Sequence, residues 1–423
     1  MRLACHGRQG LLGIALASVL CACAVADPTH PAPVSAPPGS PSPAASTAGL
    51  SSPTSQADES SASPGSCLAA ASELDLDEQV DLLYMGAITV TTASQASAQL
   101  AAQQVGSVVL MADPGGARAT GELTAALRAA DPDLLVAADQ EGGQVQRLAG
   151  PGFGAIPAAS SQAALPTGTL RAQWGMWGGQ LRDAGVRYDL GPVADLVPAA
   201  NTAANAPIGQ LGRGYGATRT DVVANASAVI GGLHDAGELS SIKHFPGLGN
   251  VTVNTDFGVA HDTVTTSDSP EVDVFADLAA RTDSVMVGSV VYDRIDPQNP
   301  AIFSPDIITG ILRQRLGFDK VIVSDDLGAA AALADYPVAS RGTSFLRAGG
   351  DLALDVDPLS VAAMKADTVR TARSDPAFGA QLVTKAARVL ALKHSAGLVG
   401  CQPAESRERT RADPIPQQPA SAP

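Results

Sequence analysis

The chain has 423 residues, with 42 acidic residues against 27 basic ones and a formal net charge of −15 at pH 7. An acidic chain without a basic patch or an aromatic–basic run is poorly suited to a polyanion, so we expect no nucleic-acid binding. The sequence contains no His/Cys cluster with metal-ligand spacing, so we expect no metal site and no cofactor.

The first 22 residues are typical of a signal peptide on an exported lipoprotein. Arg2 and Arg8 supply positive charge, and residues 11–20 form an apolar run that is too short to span a bilayer. Cys23 ends a Leu-Cys-Ala-Cys sequence that resembles a bacterial lipobox. We expect Cys23 to be lipidated and to anchor the protein to the outer face of the cell membrane, its only membrane contact. A plain secretory signal is the alternative.

Residues 23–66 predict a disordered tether, because they are rich in Pro, Ser, Ala and Thr and hold almost no large apolar residues. Such a segment cannot bury enough surface to offset its ordering entropy. Residues 402–423 have the same character and predict a disordered tail. The foldable part is therefore 67–401, long enough for one large domain or two ordinary ones.

Eight short apolar segments alternate with helical patterns along the foldable part. They are mostly apolar and do not alternate with polar residues, as is typical of parallel strands buried on both faces. The predicted strands are Gly86–Val90, Ser107–Met111, Leu134–Ala138, Val186–Leu190, Leu239–Ile242, Val285–Val291, Val321–Val323 and Asp351–Leu354.

Two helices between these strands have clear boundaries in the sequence. One begins at Ser304-Pro305 and ends near Gly317, because serine is a common N-cap, proline is common at the first helical position and glycine is common just past the last. The other follows Thr220 and ends at Gly237, with an apolar stripe along one face.

Eight strands with crossover helices predict an α/β fold with a single (β/α)₈ TIM-type barrel and no second α/β sandwich domain. A doubly wound open sheet is the alternative. Polar groups follow strand after strand, at Asp139, Asp195, Lys243-His244 and Asp325. In a barrel these positions converge on one mouth, whereas an open sheet spreads them along an edge. No Gly-rich phosphate loop follows any strand, which also favours the barrel.

A closed barrel brings its first and last elements together. Cys67 and Cys401 lie at the two edges of the foldable part. Outside the cytoplasm a disulfide persists, so we expect these two cysteines to be bonded. Two unrelated thiols are the alternative.

Three polar segments carry the candidate chemistry. Asp139 opens the sequence DQEGGQVQR, where a carboxylate can accept hydrogen bonds from sugar hydroxyls and glycines allow close backbone approach. Lys243 and His244 open KHFPGLG. Burying such side chains at a strand end costs free energy unless they are paired or take part in binding or catalysis. Asp325 follows the seventh strand and can attack an anomeric carbon, while Asp326 suits the N-cap of the next helix. Structural roles are the alternative for each, and the residues alone indicate a barrel hydrolase or a sugar-binding barrel.

Together the motifs DQEGGQVQR, KHFPGLG and VIVSDDL resemble glycoside hydrolase family 3. The likeness covers about 70–400 and is greatest to the single-domain bacterial β-N-acetylhexosaminidase branch, including its mycobacterial-type lipoproteins. It implies that Asp325 is the nucleophile. It also implies that the substrate hydroxyls are held by Asp139, Arg213, Lys243 and His244.

The general acid/base departs from the family pattern. Family members often carry a His after Lys-His-Phe-Pro-Gly and then a loop ending in Asp-Ser-His, whose final His is the acid/base. Here Leu248 replaces the first His, and Asn254-Thr255-Asp256 replaces Asp-Ser-His. Asp256 is the first candidate, since a carboxylic acid can donate the proton if a dry loop raises its pKa. His261, further along the loop, is the second candidate.

The resemblance implies a monomeric, retaining exo-β-N-acetylglucosaminidase acting on N-acetylglucosamine-containing glycans such as peptidoglycan fragments or muropeptides. A β-glucosidase or xylosidase of the same family is one alternative. Because the acid/base loop is altered, a catalytically inactive lipoprotein that binds cell-wall sugars is the other.

Overall fold

The computed structural model describes residues 64–401, all of which fall within one compact unit. The predicted signal peptide, the lipidation at Cys23, all but the end of the tether and the predicted tail lie outside the described residues. Within the described part, no helix combines the length and the apolar character needed to cross a membrane.

Each of the eight predicted strand segments contributes a strand to one parallel sheet. The strands are β1 Tyr84–Ile88, β2 Ser107–Leu110, β3 Leu135–Ala138, β4 Tyr188–Asp189, β5 Leu239–Phe245, β6 Ser284–Val287, β7 Val321–Ser324 and β8 Ala353–Asp355. Consecutive strands pair in parallel from β1 to β7, and β8 pairs with β1. A parallel bridge between Val323 and Leu352 joins β7 to the start of β8. The sheet therefore closes into the (β/α)₈ barrel.

Two strand boundaries differ from the prediction in ways that affect the mouth. Strand β5 extends to Phe245, so Lys243 and His244 lie within the strand and not after it. Strand β6 ends at Val287, and Val291–Tyr292 instead pairs with His261–Asp262 and Asp296–Pro300 in a separate small sheet. Periodicity could not separate Ser284–Val287 from Val291–Tyr292, because valines make both segments apolar and typical of strands.

Helices and short turns surround the barrel. The α-helices are Leu68–Glu73, Leu76–Leu82, Ala93–Gln103, Ala117–Ala130, Ala159–Gln162, Thr167–Asp183, Arg219–Ala236, Pro270–Leu278, Val338–Ala348, Val361–Ser374 and Pro376–Ser395. Short 3₁₀ turns occur at Pro64–Cys67, Ala301–Phe303 and Ala331–Leu333, and a two-stranded hairpin, Gln140–Gly142 with Val145–Gln146, follows β3. The strands β1, β2 and β3 are buried at every position, because the helices cover their outer faces.

The two helices with clear sequence boundaries are both present. Arg219–Ala236 begins two residues earlier than predicted, because the Thr218 hydroxyl accepts a hydrogen bond from the Asp221 amide, and it ends at Gly237 with φ +78°. The segment Asp306–Arg315 is a π-helix and not an ordinary α-helix. The apolar stripe predicted for it is buried, so the spacing of apolar residues alone did not fix the hydrogen-bonding pattern.

Cys67 and Cys401 form a disulfide, with Cα atoms 4.4 Å apart and a separation of 334 residues in sequence. Replacing both cysteines by serine is expected to lower the free energy of unfolding by about 2–5 kcal/mol, because the crosslink restricts the unfolded chain across a long loop. Thermal unfolding without reductant measures the loss, and reduced wild-type protein should match the variant. An unchanged melting temperature would show that this crosslink does not stabilise the domain.

Candidate active site

A cavity of about 270 Å³ opens at the mouth formed by the carboxyl ends of the barrel strands. Six of the residues predicted to form the site line it: Asp139, Arg213, Lys243, His244, Asp256 and Asp325. Apolar side chains from the strand ends complete the lining, among them Val109, Met111, Leu190, Met286, Leu354 and Val356. We call this cavity the active-site pocket.

Lys243 lies on β5 and is buried between two carboxylates. Its Nζ forms ion pairs with Asp139 and with Glu141, the latter at 2.6 Å from Oε1. Burial lowers the pKa of a lysine, but the two carboxylates more than offset this and raise the pKa of Lys243 above its ordinary value. Lys243 therefore carries a positive charge that holds Asp139 in place at the pocket wall.

Glu141 is a buried carboxylate that links the two cations of the site. Arg213 donates to it twice, from Nε to Oε2 at 2.8 Å and from Nη2 to Oε1 at 2.7 Å. Burial raises the pKa of Glu141, but Arg213 and Lys243 outweigh that effect and hold it below its usual range. The carboxylate thus fixes the guanidinium of Arg213 in a planar two-bond pairing.

Sequence reasoning assigned no role to Glu141, although it is two residues beyond Asp139. Extended backbone places residues i and i+2 on the same side. The two-residue spacing of Asp139 and Glu141 could therefore have predicted that both carboxylates pair with Lys243.

His244 is oriented by Asp195, which lies beyond β4. Nδ1 of His244 lies 2.7 Å from Oδ2 of Asp195. The other oxygen of Asp195 accepts from the backbone amides of His244, at 3.2 Å, and Leu248, at 2.8 Å. Because Nδ1 faces a carboxylate it carries a proton, which leaves Nε2 on the pocket side, 3.4 Å from Nη2 of Arg213.

Asp325 follows β7 directly. Its backbone amide donates to the Val287 carbonyl at 2.9 Å, and its Oδ1 accepts from the Asp326 amide at 2.9 Å. Oδ2 has no hydrogen-bond partner among residues 64–401. Burial raises the pKa of Asp325 above its ordinary value, and nearby His244 opposes that rise. One oxygen is therefore held while the other is free to reach a substrate.

Asp326 closes the turn after Asp325. Its carboxylate accepts from the backbone amides of Gly328, Ala329 and Val356 at 2.9, 2.8 and 2.9 Å. It caps this loop, whereas the sequence suggested the N-cap of a following helix. Asp326, the neighbour of Asp325, therefore has a structural role.

Asp256 lies on the loop after β5 and reaches the same pocket. Its carbonyl accepts from the Ala331 amide at 3.4 Å, and the Thr255 carbonyl accepts from the Ala332 amide at 3.1 Å. These bonds tie the loop to the segment after β7, and the Asp256 charge is close enough to raise the pKa of Asp325. The side chain of Asp256 is exposed, so the dry loop expected from the sequence is not present around it.

His261, the second acid/base candidate, does not line the pocket. It lies on the short strand His261–Asp262, its side chain is 53% exposed, and Nδ1 is 2.9 Å from Oδ1 of Asp293. This strand pairs with Val291–Tyr292 in the separate small sheet. Of the two candidates on this loop, the structure brings Asp256 and not His261 to the pocket.

Asp189 is a further buried carboxyl beneath the site. It lies on β4, its Oδ1 accepts from the Gln140 amide at 3.1 Å, and its Oδ2 has no partner within the described residues. Burial raises the pKa of Asp189 to about 7, although the Gln140 hydrogen bond and the Lys243 charge oppose the rise.

Because the folded-state pKa of Asp189 exceeds the ordinary value of 3.8, folding favours its protonated form. That contribution to stability is present below the ordinary pKa and is lost as the pH rises through 7. The isosteric variant Asp189→Asn should therefore gain stability relative to wild type, by on the order of 2 kcal/mol, between about pH 5 and about pH 8. Denaturant titrations at both pH values measure the difference, and a gap that does not change with pH would contradict it.

A closed (β/α)₈ barrel whose mouth gathers a free carboxylate, a second carboxylate and a network of paired charged side chains is the arrangement of a barrel-type sugar hydrolase. The family model described as "Glycosyl hydrolase family 3 N terminal domain" matches residues 75–392. The chain belongs to glycosyl hydrolase family 3 and is a glycosidase.

The relatives are consistent with this assignment. A protein named beta-hexosaminidase from Pseudomonas aeruginosa is 37% identical over 237 residues, which cover 55% of this chain and 69% of that protein. Another from Xylella fastidiosa is 38% identical over 290 residues, covering 66% and 84%.

Two solved structures share the fold. The crystal structure of a beta-N-acetylhexosaminidase from Beutenbergia cavernae aligns with a TM-score of 0.73 and 40% identity, covering 76% of this chain and 99% of that one. A family 3 glycosyl hydrolase from Mycobacterium smegmatis aligns with a TM-score of 0.67 and 27% identity, covering 78% and 98%.

Proposed function

We propose that this glycosidase is a retaining exo-β-N-acetylglucosaminidase that removes terminal β-linked N-acetylhexosamine from peptidoglycan fragments. The observation that carries the proposal is the active-site pocket, which holds the free carboxylate of Asp325 and the loop carboxyl of Asp256 within one small cavity. The names of the similar proteins and structures support N-acetylhexosamine as the sugar.

The fixed network of the pocket suits the hydroxyls of one sugar ring. Asp139 and Nε2 of His244 can accept hydrogen bonds, while Lys243 and Arg213 can donate them, and their mutual ion pairs and hydrogen bonds hold each group in position before the substrate binds. The small volume favours a single terminal residue over an internal stretch of glycan. This supports exo cleavage.

In the proposed first step, Oδ2 of Asp325 attacks the anomeric carbon while the carboxylic acid of Asp256 donates its proton to the leaving oxygen. The bond to the leaving sugar breaks and a glycosyl-aspartate ester forms. In the second step, the Asp256 carboxylate takes a proton from water, whose oxygen attacks the same carbon and releases Asp325. Two inversions give overall retention.

The test compares 4-nitrophenyl β-N-acetylglucosaminide with the β-glucoside and the β-xyloside under identical conditions. We expect a clear preference for the N-acetyl sugar, and proton NMR should detect its β-anomer as the first product. Faster cleavage of the glucoside or xyloside would favour the alternative activity, and initial release of the α-anomer would exclude retention.

We also propose that the protein is exported and anchored through a lipid on Cys23, a position outside the described residues. The supporting observations are the signal-like first 22 residues and the lipobox-like sequence. Labelling cells with radioactive palmitate should mark the wild type and the control variant Cys21→Ala but not Cys23→Ala. Equal labelling of both variants would contradict anchoring at this cysteine.

A further inference from the structure

A second cavity lies at the opposite end of the barrel from the active-site pocket. Its volume is about 670 Å³. Gly106, directly before β2, and Asp133, shortly before β3, both line it, so it opens at the amino ends of these strands. Among the described residues, none lines both cavities. We call this second cavity the amino-end cavity.

The wall of the amino-end cavity is largely apolar. Its apolar side chains come from the surrounding helices and the turns between them, and the large ones are Leu74, Leu82, Leu100, Val105, Leu390 and Val399. Leu74, Leu82 and Val399 are only partly buried although they pack against the core. An apolar group that covered them would remove more of their surface from water, which is favourable.

The charge of the cavity is predominantly negative. Among the described residues that line it, Lys393 is the only basic one, and its Nζ donates to the Gly106 carbonyl at 2.9 Å. The acidic lining residues are Glu73, Glu78, Asp81, Asp131 and Asp133. Five carboxyl groups therefore surround one amine, and the cavity favours a cationic occupant.

Two of these carboxylates are available to such an occupant. The Asp133 side chain is exposed and has no ion pair or hydrogen bond to any residue in the range 64–401. Oδ1 of Asp131 accepts from the Asp133 amide at 2.9 Å, and its Oδ2 has no hydrogen-bond partner in that range. Asp81, by contrast, is paired with Lys365 at 2.6 Å.

The chain leaves the described residues beside this cavity. Val399 lines the cavity, and Cys401 lies two residues further along. The disulfide ties Cys401 to Cys67, which directly precedes the helix that carries Ala70, another lining residue. The sequence that follows Cys401 therefore starts within a few residues of the apolar wall and the acidic side chains.

That sequence carries the matching chemistry. Arg407, Arg409 and Arg411 alternate with other residues, so in an extended segment their side chains point to the same side. Arg407 is six residues past Cys401, which an extended chain spans in about 20 Å. Ile415 is the only large apolar residue after Cys401, and it lies between two prolines.

The segment that precedes the described residues is a poorer match. Residues 24–63 contain acidic residues but no lysine or arginine. Residues 402–423 also contain acidic residues, but they carry the three arginines as well. Only the second segment can supply cations to the acidic cavity.

We infer that residues 402–423, which lie outside the described residues, dock into the amino-end cavity of the same chain. The arginines pair with Asp131 and Asp133, and Ile415 covers the apolar wall. Because the connection to Cys401 is short, the effective concentration of the segment is in the millimolar range, so a few weak ion pairs suffice. A segment whose composition predicts disorder can order in this way on binding.

Hydrogen–deuterium exchange of the full-length protein tests the docking. We expect amides at residues 104–106 and 131–134 to exchange about threefold or more faster in the triple variant Arg407→Gln/Arg409→Gln/Arg411→Gln than in wild type. High salt should accelerate exchange in wild type, because it screens exposed ion pairs. The triple lysine variant keeps the charges and should retain most of the protection.

A charge exchange across the contact provides the matched controls. Asp133→Lys should accelerate exchange at residues 104–106, and adding Arg409→Glu and Arg411→Glu to it should restore protection. Asp335→Lys is the control, because Asp335 is an exposed carboxylate that does not line the amino-end cavity. The arginine variants should cleave 4-nitrophenyl β-N-acetylglucosaminide as wild type does, which shows that the barrel is intact.

Three results would overturn the inference. The first is equal exchange at residues 104–106 in wild type and the triple glutamine variant. The second is protection that rises with protein concentration, which would assign the cavity to a second copy of the chain. The third is protection that survives the triple glutamine change but is lost when residues 24–63 are deleted.

Discussion

Asp325→Ala is expected to lower the turnover of β-N-acetylglucosaminides by about 10⁴-fold or more, because the variant lacks the carboxylate proposed to form the glycosyl ester. One carboxylate oxygen of Asp325 has no hydrogen-bond partner among residues 64–401, and this side chain lies near His244 and Asp256 at the barrel mouth. The measurement is the initial rate of 4-nitrophenol release. Asp335→Ala is the control, because Asp335 is an exposed carboxylate ten residues away that does not line the pocket.

Trapping the glycosyl-enzyme intermediate identifies the nucleophile directly. A 2-fluoro glycosyl donor slows hydrolysis of the intermediate, so the labelled peptide should contain residue 325. Label on a different carboxylate, or equal product release by Asp325→Ala and wild type, would exclude Asp325 as the nucleophile.

The same carboxylate should shape the acid side of the pH profile. Only the ionised form attacks, and burial raises the pKa of Asp325 above its ordinary value of 3.8. We therefore expect kcat/KM to fall on acidification at a higher pH than an exposed aspartate would give. Because Asp256 also carries a carboxyl group, the pH profile of kcat/KM is measured again in Asp256→Asn.

Asp256→Asn is expected to lower kcat by about 10²–10⁴-fold for chitobiose, whose leaving sugar needs a proton. With a dinitrophenyl glycoside, the rate of the first step should fall much less, because that leaving group departs without protonation. Added azide should restore turnover and give a β-glycosyl azide, since an anionic nucleophile needs no general base. A residue with only a structural role would show neither the leaving-group dependence nor the azide product.

His261→Ala is the matched control for this loop. The imidazole is paired with Asp293 outside the pocket, so this variant should keep wild-type activity on both substrates. A greater loss in His261→Ala than in Asp256→Asn would reverse the assignment and require the loop to rearrange when substrate binds. Because Asp256 is exposed, the leaving sugar itself has to exclude water from its carboxyl.

Local sequence patterns were sufficient to predict the barrel. Most strands lie in short apolar runs, and parallel strands need two covered faces, which alternating helices provide. Asp139, Lys243 and Asp325 could be placed near one another because the carboxyl ends of barrel strands share one mouth. The pairing of Cys67 with Cys401 follows from the same closure.

Other features depended on which way side chains point once the barrel has closed. The pattern after β5 made Asp256 the first candidate acid and His261 the second, and the structure separates them, because His261 belongs to the small sheet formed with Val291–Tyr292 and only Asp256 lines the pocket. Periodicity also could not reveal that Asp306–Arg315 is a π-helix, since its apolar stripe is compatible with an α-helix.

The sequence by itself determined the fold and the strand ends that carry the candidate chemistry, because both depend on local runs of apolar and polar residues. Only the tertiary structure decided that Glu141 joins Lys243 to Arg213 and that Asp195 orients His244. The physical reason is that an ion pair forms over a few ångströms, so it depends on register and side-chain direction between segments far apart in the chain.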